Sequence, residues 1–177
     1  MKLIIFLIII IILFLALIAS FFLIHIFRVP DSSMEPGLGH NQYLVFKKYF
    51  RTKPNPKRGD IILYRDPKSE TIFVGRVILL PSEEFAVSNG SIYIKEKEVR
   101  KLDEPYLNSE FRYKVNVEEM WSKLEQTQYI VLPDNRQNQI IDFKKSIVEQ
   151  RDILGILMAS SWYPTKCSIL SRCSDNF

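Results

Sequence analysis

From Leu3 to Ile24 every position is apolar except Ser20, with neither an alternating pattern nor a polar stripe. A helix apolar on all faces needs lipid or a large core around it, and about 20 such residues cross the hydrocarbon layer of a bilayer. The run therefore predicts a single transmembrane helix at the N-terminus, with residues 1–27 as a signal anchor. Lys2, Ala16 and Ala19 also fit a cleaved signal peptide, but the apolar core of such a peptide is only about 7 to 15 residues long. The longer run favours an anchor that is retained.

Beyond Val29 the pattern changes to polar residues, frequent Pro and Gly, and short apolar runs of strand length. Residues 28–177 are predicted to form one mainly β domain. The expected strands are Gln42–Phe46, Asp60–Tyr64, Thr71–Leu80, Glu84–Val87, Ser91–Ile94, Gln128–Leu132 and Leu154–Met158. Asn89-Gly90 predicts a tight hairpin, because a type I′ turn needs positive φ at both central residues. Residues 53–59, KPNPKRG, read as a rigid polar loop entering the Asp60 strand. One short inserted helix is expected where Val117, Met120, Trp121 and Leu124 recur at helical spacing, with Asn116 as N-cap and Glu119 three residues on.

Charge narrows the class of partner. The 24 Lys and Arg are interspersed with 20 Asp and Glu, for a net +4, and they form no basic stripe of the kind that tracks nucleic acid. Attraction to anionic lipid headgroups is the expected use. Long domains cross membranes largely regardless of their charge, so the domain is expected on the extracytoplasmic side of the cell membrane. Cys167 and Cys173 are near enough in sequence to pair after export or to stay free thiols, and both remain open. No metal and no cofactor are called for.

The candidate chemistry starts just after the anchor, at SSMEP, Ser32 to Pro36. Four further segments follow in order: RGDIILY from Arg58, GRVILLP from Gly75, NGSIYI with Glu104-Pro105-Tyr106, and LPDNR from Leu132. Together, behind a membrane anchor, these segments resemble the type I signal peptidases, membrane-bound serine endopeptidases of family S26 that cleave signal peptides from exported preproteins. The resemblance covers nearly the whole chain. It implies Ser33 as nucleophile, Met34, Pro36 and Arg76 beside the substrate, and Asp31, Asp134, Arg136, Gln139 and Asp142 around the oxyanion site or bracing it. An Arg76–Asp142 pair is expected among the braces.

In that family a neutral lysine takes the serine proton. Lysine becomes a usable base only when burial lowers its pKa, and it directly precedes the Arg-Val of the third segment, where this chain has Gly75. Glycine accepts no proton. Other departures coincide with this one: Asp31 stands where a serine hydroxyl serves the oxyanion, Gln139 where a serine holds the lysine, and Pro133 where a glycine precedes the DNR triplet. His25, His40, Lys47 and Lys48 do not match the base by position. Two functions follow from the resemblance. One is a signal peptidase I-like membrane-anchored endopeptidase lacking its usual base. The alternative is an inactive pseudo-peptidase that binds preprotein signal peptides or an active paralogous peptidase.

Overall fold

The computed structural model describes residues 2–49, 53–88, 91–107, 121–136, 143 and 145–160. Apart from one helix at the start, α1 (Lys2–Leu23), and a short 3-10 turn (Gln150–Asp152), its elements are strands. In chain order these are β1 (Ile24–Arg28), β2 (Tyr43–Lys48), β3 (Ile61–Arg65), β4 (Ile72–Leu79), β5 (Glu84–Ser88), β6 (Ser91–Lys95), β7 (Val99–Lys101), β8 (Ser122–Lys123), β9 (Gln128–Leu132), β10 (Ile147–Glu149) and β11 (Ile153–Ser160). Mainly β architecture is thus as expected, and all seven predicted strands are present with ends shifted by a residue or two.

Helix α1 has 22 residues, about 33 Å at 1.5 Å per residue. From Ile4 to Leu15, and again at Leu17, Ile18 and Leu23, its side chains are exposed. Among the described residues no helix is long and apolar enough to cross a membrane. The apolar run also ends differently from the expected anchor. Ile24 to Phe27 leave the helix and pair with β2, from Ile24 opposite Lys47 to Arg28 opposite Tyr43.

The larger sheet has the order β1-β2-β11-β3-β4-β9-β10, the smaller β7-β6-β5-β8. Each pairing among the described residues of both is antiparallel. Strand side chains alternate between faces, and this divides the core. Leu44, Phe46, Ile61 and Leu63 gather on one face of the larger sheet with Val29, Met34 and Leu38 from the β1–β2 connection. Ile62, Val77, Tyr129, Val131 and Ile153 gather on the other. A register shift between β4 and β9 at Val77/Leu79 lets both Ile78 and Leu79 join a third cluster, which includes Phe85, Val87, Ile92 and Ile94 of the smaller sheet. A bulge of this kind re-aims side chains at a sheet junction.

One expectation changes here. Where it is described, the predicted helix is not helical: Ser122 and Lys123 pair with Phe85 and Glu84, and Leu124 donates its N–H to Glu83 O. Sheet pairing and burial of Leu124 in the inter-sheet core override the helical spacing there, while Asn116, Val117, Glu119 and Met120 lie outside the described residues. The hairpin is present as β5–β6, with Ser88 opposite Ser91, and its Asn89-Gly90 tip also lies outside them, as do Cys167 and Cys173.

Candidate active site

Ser33 sits in the β1–β2 connection, which hydrogen bonds close at both ends. Val29 N–H donates to Gln42 O and Asn41 N–H to Val29 O, while Met34 is fully buried among Leu38, Leu44 and Phe46. The connection is therefore clamped to the core on one side, leaving Asp31 and Ser32 exposed and Ser33 half-buried. Ser33 N–H donates to Asp31 Oδ1 at 2.9 Å, the local side-chain turn that aspartate favours. Asn135 holds the same segment from across the fold, its N–H donating to Ser33 O at 2.9 Å and its side-chain amide to Ser32 O at 3.1 Å.

Asn135 is placed by its neighbour. Asp134 is fully buried and accepts from Arg76 through both carboxylate oxygens, the Nε–Oδ1 contact being 2.8 Å. Arg76 also donates to Gly59 O at 2.9 Å. Burial of Arg76 works to lower its pKa, and the bond and charge of Asp134 more than offset this, leaving it raised. Arg76 meets Asp134 because β4 lies beside β9 with Arg76 opposite Leu132, two residues before Asp134, whereas the expected Arg76–Asp142 brace falls on a residue that is not described. Asp142 and Gln139 lie outside the described residues. Gly37 closes the back of the pair, since a Cβ there would stand 2.6 Å from Asp134 Oδ2. Pro36 is half-buried beside it.

Gly75 lies in the middle of β4, opposite Ile62 of β3, one residue before the arginine that holds this loop. A Cβ built on it would meet Val131 Cγ1 at 2.6 Å, Leu132 O at 3.5 Å and Tyr64 Cε1 at 3.5 Å. Real Cβ atoms do not approach that closely, so the start of a side chain at 75 is already filled by Val131. Tyr64 stacks at a tilt on Phe73, ring centroids 6.0 Å apart. Burial, then the charge of Asp66, pushes its phenol up to about 12. Neither Val131 nor Tyr64 was singled out from the sequence, because their meeting at Gly75 depends on the register of three strands.

Residues 2–158 match the family described as signal peptidase, peptidase S26. The chain belongs to that family. Its relatives include a probable signal peptidase I-2 of Synechocystis sp., 30% identical over 149 residues, covering 81% of this chain and 65% of the relative. Signal peptidase I U of Bacillus subtilis is 34% identical over 122 residues, covering 64% of this chain and 62% of the relative. The chain thus spans a little under two thirds of the length of these two relatives. A crystal structure of a signal peptidase I from Enterococcus faecalis V583 is similar at 23% identity and a TM-score of 0.46, covering 60% of this chain and 100% of that one.

Set against the signal peptidase pattern, the structure brings Ser33, Asp134, Asn135 and Arg76 together. His40 and Lys47 are exposed, and Lys47 Nζ lies 5.7 Å from the centre of the Tyr49 ring. His25 pairs across to Phe46 on β2. Among the described residues neither Lys nor His bonds to Ser33, whose hydrogen bonds run to Asp31 and Asn135. Arg136 is fully buried, its Nε donating to Pro133 O at 2.9 Å and its Nη2 2.9 Å from Glu104 Oε1.

Proposed function

We propose that this chain is a membrane-anchored, signal peptidase I-like protein that binds exported preproteins at the Ser33 loop and does not cut them. The observation that carries the second half is the filled space at Gly75. A serine hydroxyl is a weak nucleophile until an adjacent base takes its proton, and Val131 stands where the side chain of that base would begin. The Asp31 contact supports the same reading. Stabilising an oxyanion requires preorganised donors, whereas Ser33 N–H is already given to a carboxylate. That carboxylate opposes negative charge developing beside it.

The apolar run of the sequence from Leu3 to Ile24 supports the anchor, being about as long as a bilayer crossing needs, and the strand that follows α1 carries its outward residues on one sheet face. Ile26 lies opposite Val45 and Arg28 opposite Tyr43, with Ile26, Tyr43 and Met158 exposed. Aromatic and basic side chains of this kind favour the headgroup level of a bilayer. The domain then stands on the extracytoplasmic side, where an emerging preprotein meets the Ser33 loop as an extended segment bound through its backbone. An active paralogous peptidase is a second partner consistent with such a site.

The test uses the full chain in detergent micelles and a labelled peptide spanning the cleavage region of a preprotein. Saturable binding with the peptide recovered intact is the expected result. Absence of binding overturns the first half of the proposal, and cleavage that disappears in Ser33→Ala overturns the second.

A further inference from the structure

After β7 the chain turns back toward the larger sheet. Leu102 N–H donates to Ile92 O at 2.7 Å, Leu107 N–H to Glu104 O at 3.0 Å, and Leu102 is buried in the inter-sheet core. Two side chains of this turn reach the Ser33 support. The Tyr106 ring covers the Arg76 guanidinium, with Cζ 4.2 Å from the ring centre. Glu104 Oε1 accepts the Tyr106 hydroxyl at 3.1 Å and lies 2.9 Å from Arg136 Nη2.

The geometry explains what the ring does. In the plane of the guanidinium, donors of Arg76 are taken by Asp134 and Gly59 O, but a guanidinium face makes no hydrogen bonds and attracts either water or an aromatic ring. With the ring in place, water is kept from an ion pair whose strength depends on its dry surroundings. Burial first, and Glu104 second, raise the pKa of Tyr106, keeping its hydroxyl protonated as a donor to Glu104. The ring therefore shields Arg76, Arg76 holds Asp134, and the adjacent Asn135 holds Ser33 O.

We infer that Tyr106 is a positioning residue for Ser33, through which the smaller sheet sets the placement of the Ser33 loop. The inference rests on Ser33 being the centre of the site, as proposed above, but not on whether peptide binds or is cut.

Its readout is the Asn135–Ser33 hydrogen bond itself, followed by amide hydrogen exchange of the full chain in micelles. Tyr106→Leu keeps an apolar contact with the core and removes the ring face; Tyr106→Phe keeps the ring. In Tyr106→Leu the Asn135 amide is expected to exchange about tenfold faster than in the parent, while the Leu124 amide, bonded to Glu83 O in the inter-sheet region, is unchanged. In Tyr106→Phe the Asn135 amide is expected to stay close to the parent rate. Tyr106→Met is the second variant should Tyr106→Leu not fold, with the same expectation. Unchanged exchange at Asn135, an equal rise at Asn135 and Leu124, or a Tyr106→Phe that behaves like Tyr106→Leu would each overturn the inference.

Discussion

The Cβ of any side chain at position 75 would stand 2.6 Å from Val131 Cγ1. Val131 is 3% exposed, is β-branched and therefore stiff about its first torsion, and is held in the β4–β9 ladder opposite Val77. It is not a flexible end that swings aside.

Gly75→Lys is therefore expected to destabilise the fold by about 1–3 kcal/mol, the usual cost of overpacking. The general gain from removing a strand glycine, below about 1 kcal/mol, is too small to reverse the sign. Val131→Ala in the same chain makes room, so the double variant should lose less than the sum of the two single losses. Denaturant unfolding of the four forms measures that coupling, and strict additivity would mean that the two positions do not compete for space.

Asp134 is fully buried against an arginine only 11% exposed. Truncating one partner of such a pair strands the other charge, so Asp134→Ala is expected to cost about 3–5 kcal/mol. Gly37→Ala, which pushes a methyl toward Asp134 Oδ2, should weaken the same pair by a smaller amount. Thermal unfolding compares the two; a Gly37→Ala as stable as the parent would show that the loop yields.

Tyr64 supplies a pH signature beside Gly75. Its folded phenol keeps its proton up to about pH 12, against an ordinary value of 10.0. The folded state thus binds more protons than the unfolded chain between these values, and stability falls across that window. The contribution is complete below pH 10 and lost as pH rises through 12. Tyr64→Phe should flatten this part of the alkaline unfolding curve and remove one late-titrating phenol from the absorbance titration. An unchanged curve would place the phenol in water.

Much of the β architecture was legible because apolar runs of strand length sit between turn residues, as at Ile61–Leu63 and Ile92–Ile94. β1 was not, since Ile24 to Phe27 follow the apolar run with His25 as the only polar residue among them, and only pairing with β2 separates them from α1. β7, with Val99, Arg100 and Lys101 all exposed, carries no alternation to read. At Trp121 to Leu124 the helical spacing misled, because the pairing of Ser122 with Phe85 is made to a segment far back in the chain.

The site divides in the same way. The order of its segments along the chain was legible, in agreement with the family match over residues 2–158. The pairing of Arg76 with Asp134 was not, because it depends on the β4–β9 register. Nor was the reason a lysine does not simply fit at 75, which lies in the side chain of another strand.

The helix bears its own prediction. If α1 crosses the bilayer, membranes washed at alkaline pH should retain the chain, and a form starting at Arg28 should be released or fail to fold for want of β1. Release of the full chain by the same wash would show that α1 lies outside the hydrocarbon layer.

The most direct test of the central claim is a time course of preprotein cleavage by the purified full chain in micelles, run beside Ser33→Ala. The account predicts that the two are indistinguishable and equal to the rate without protein. Processing by the parent that Ser33→Ala abolishes would contradict it, and would mean that Ser33 finds a base despite Gly75.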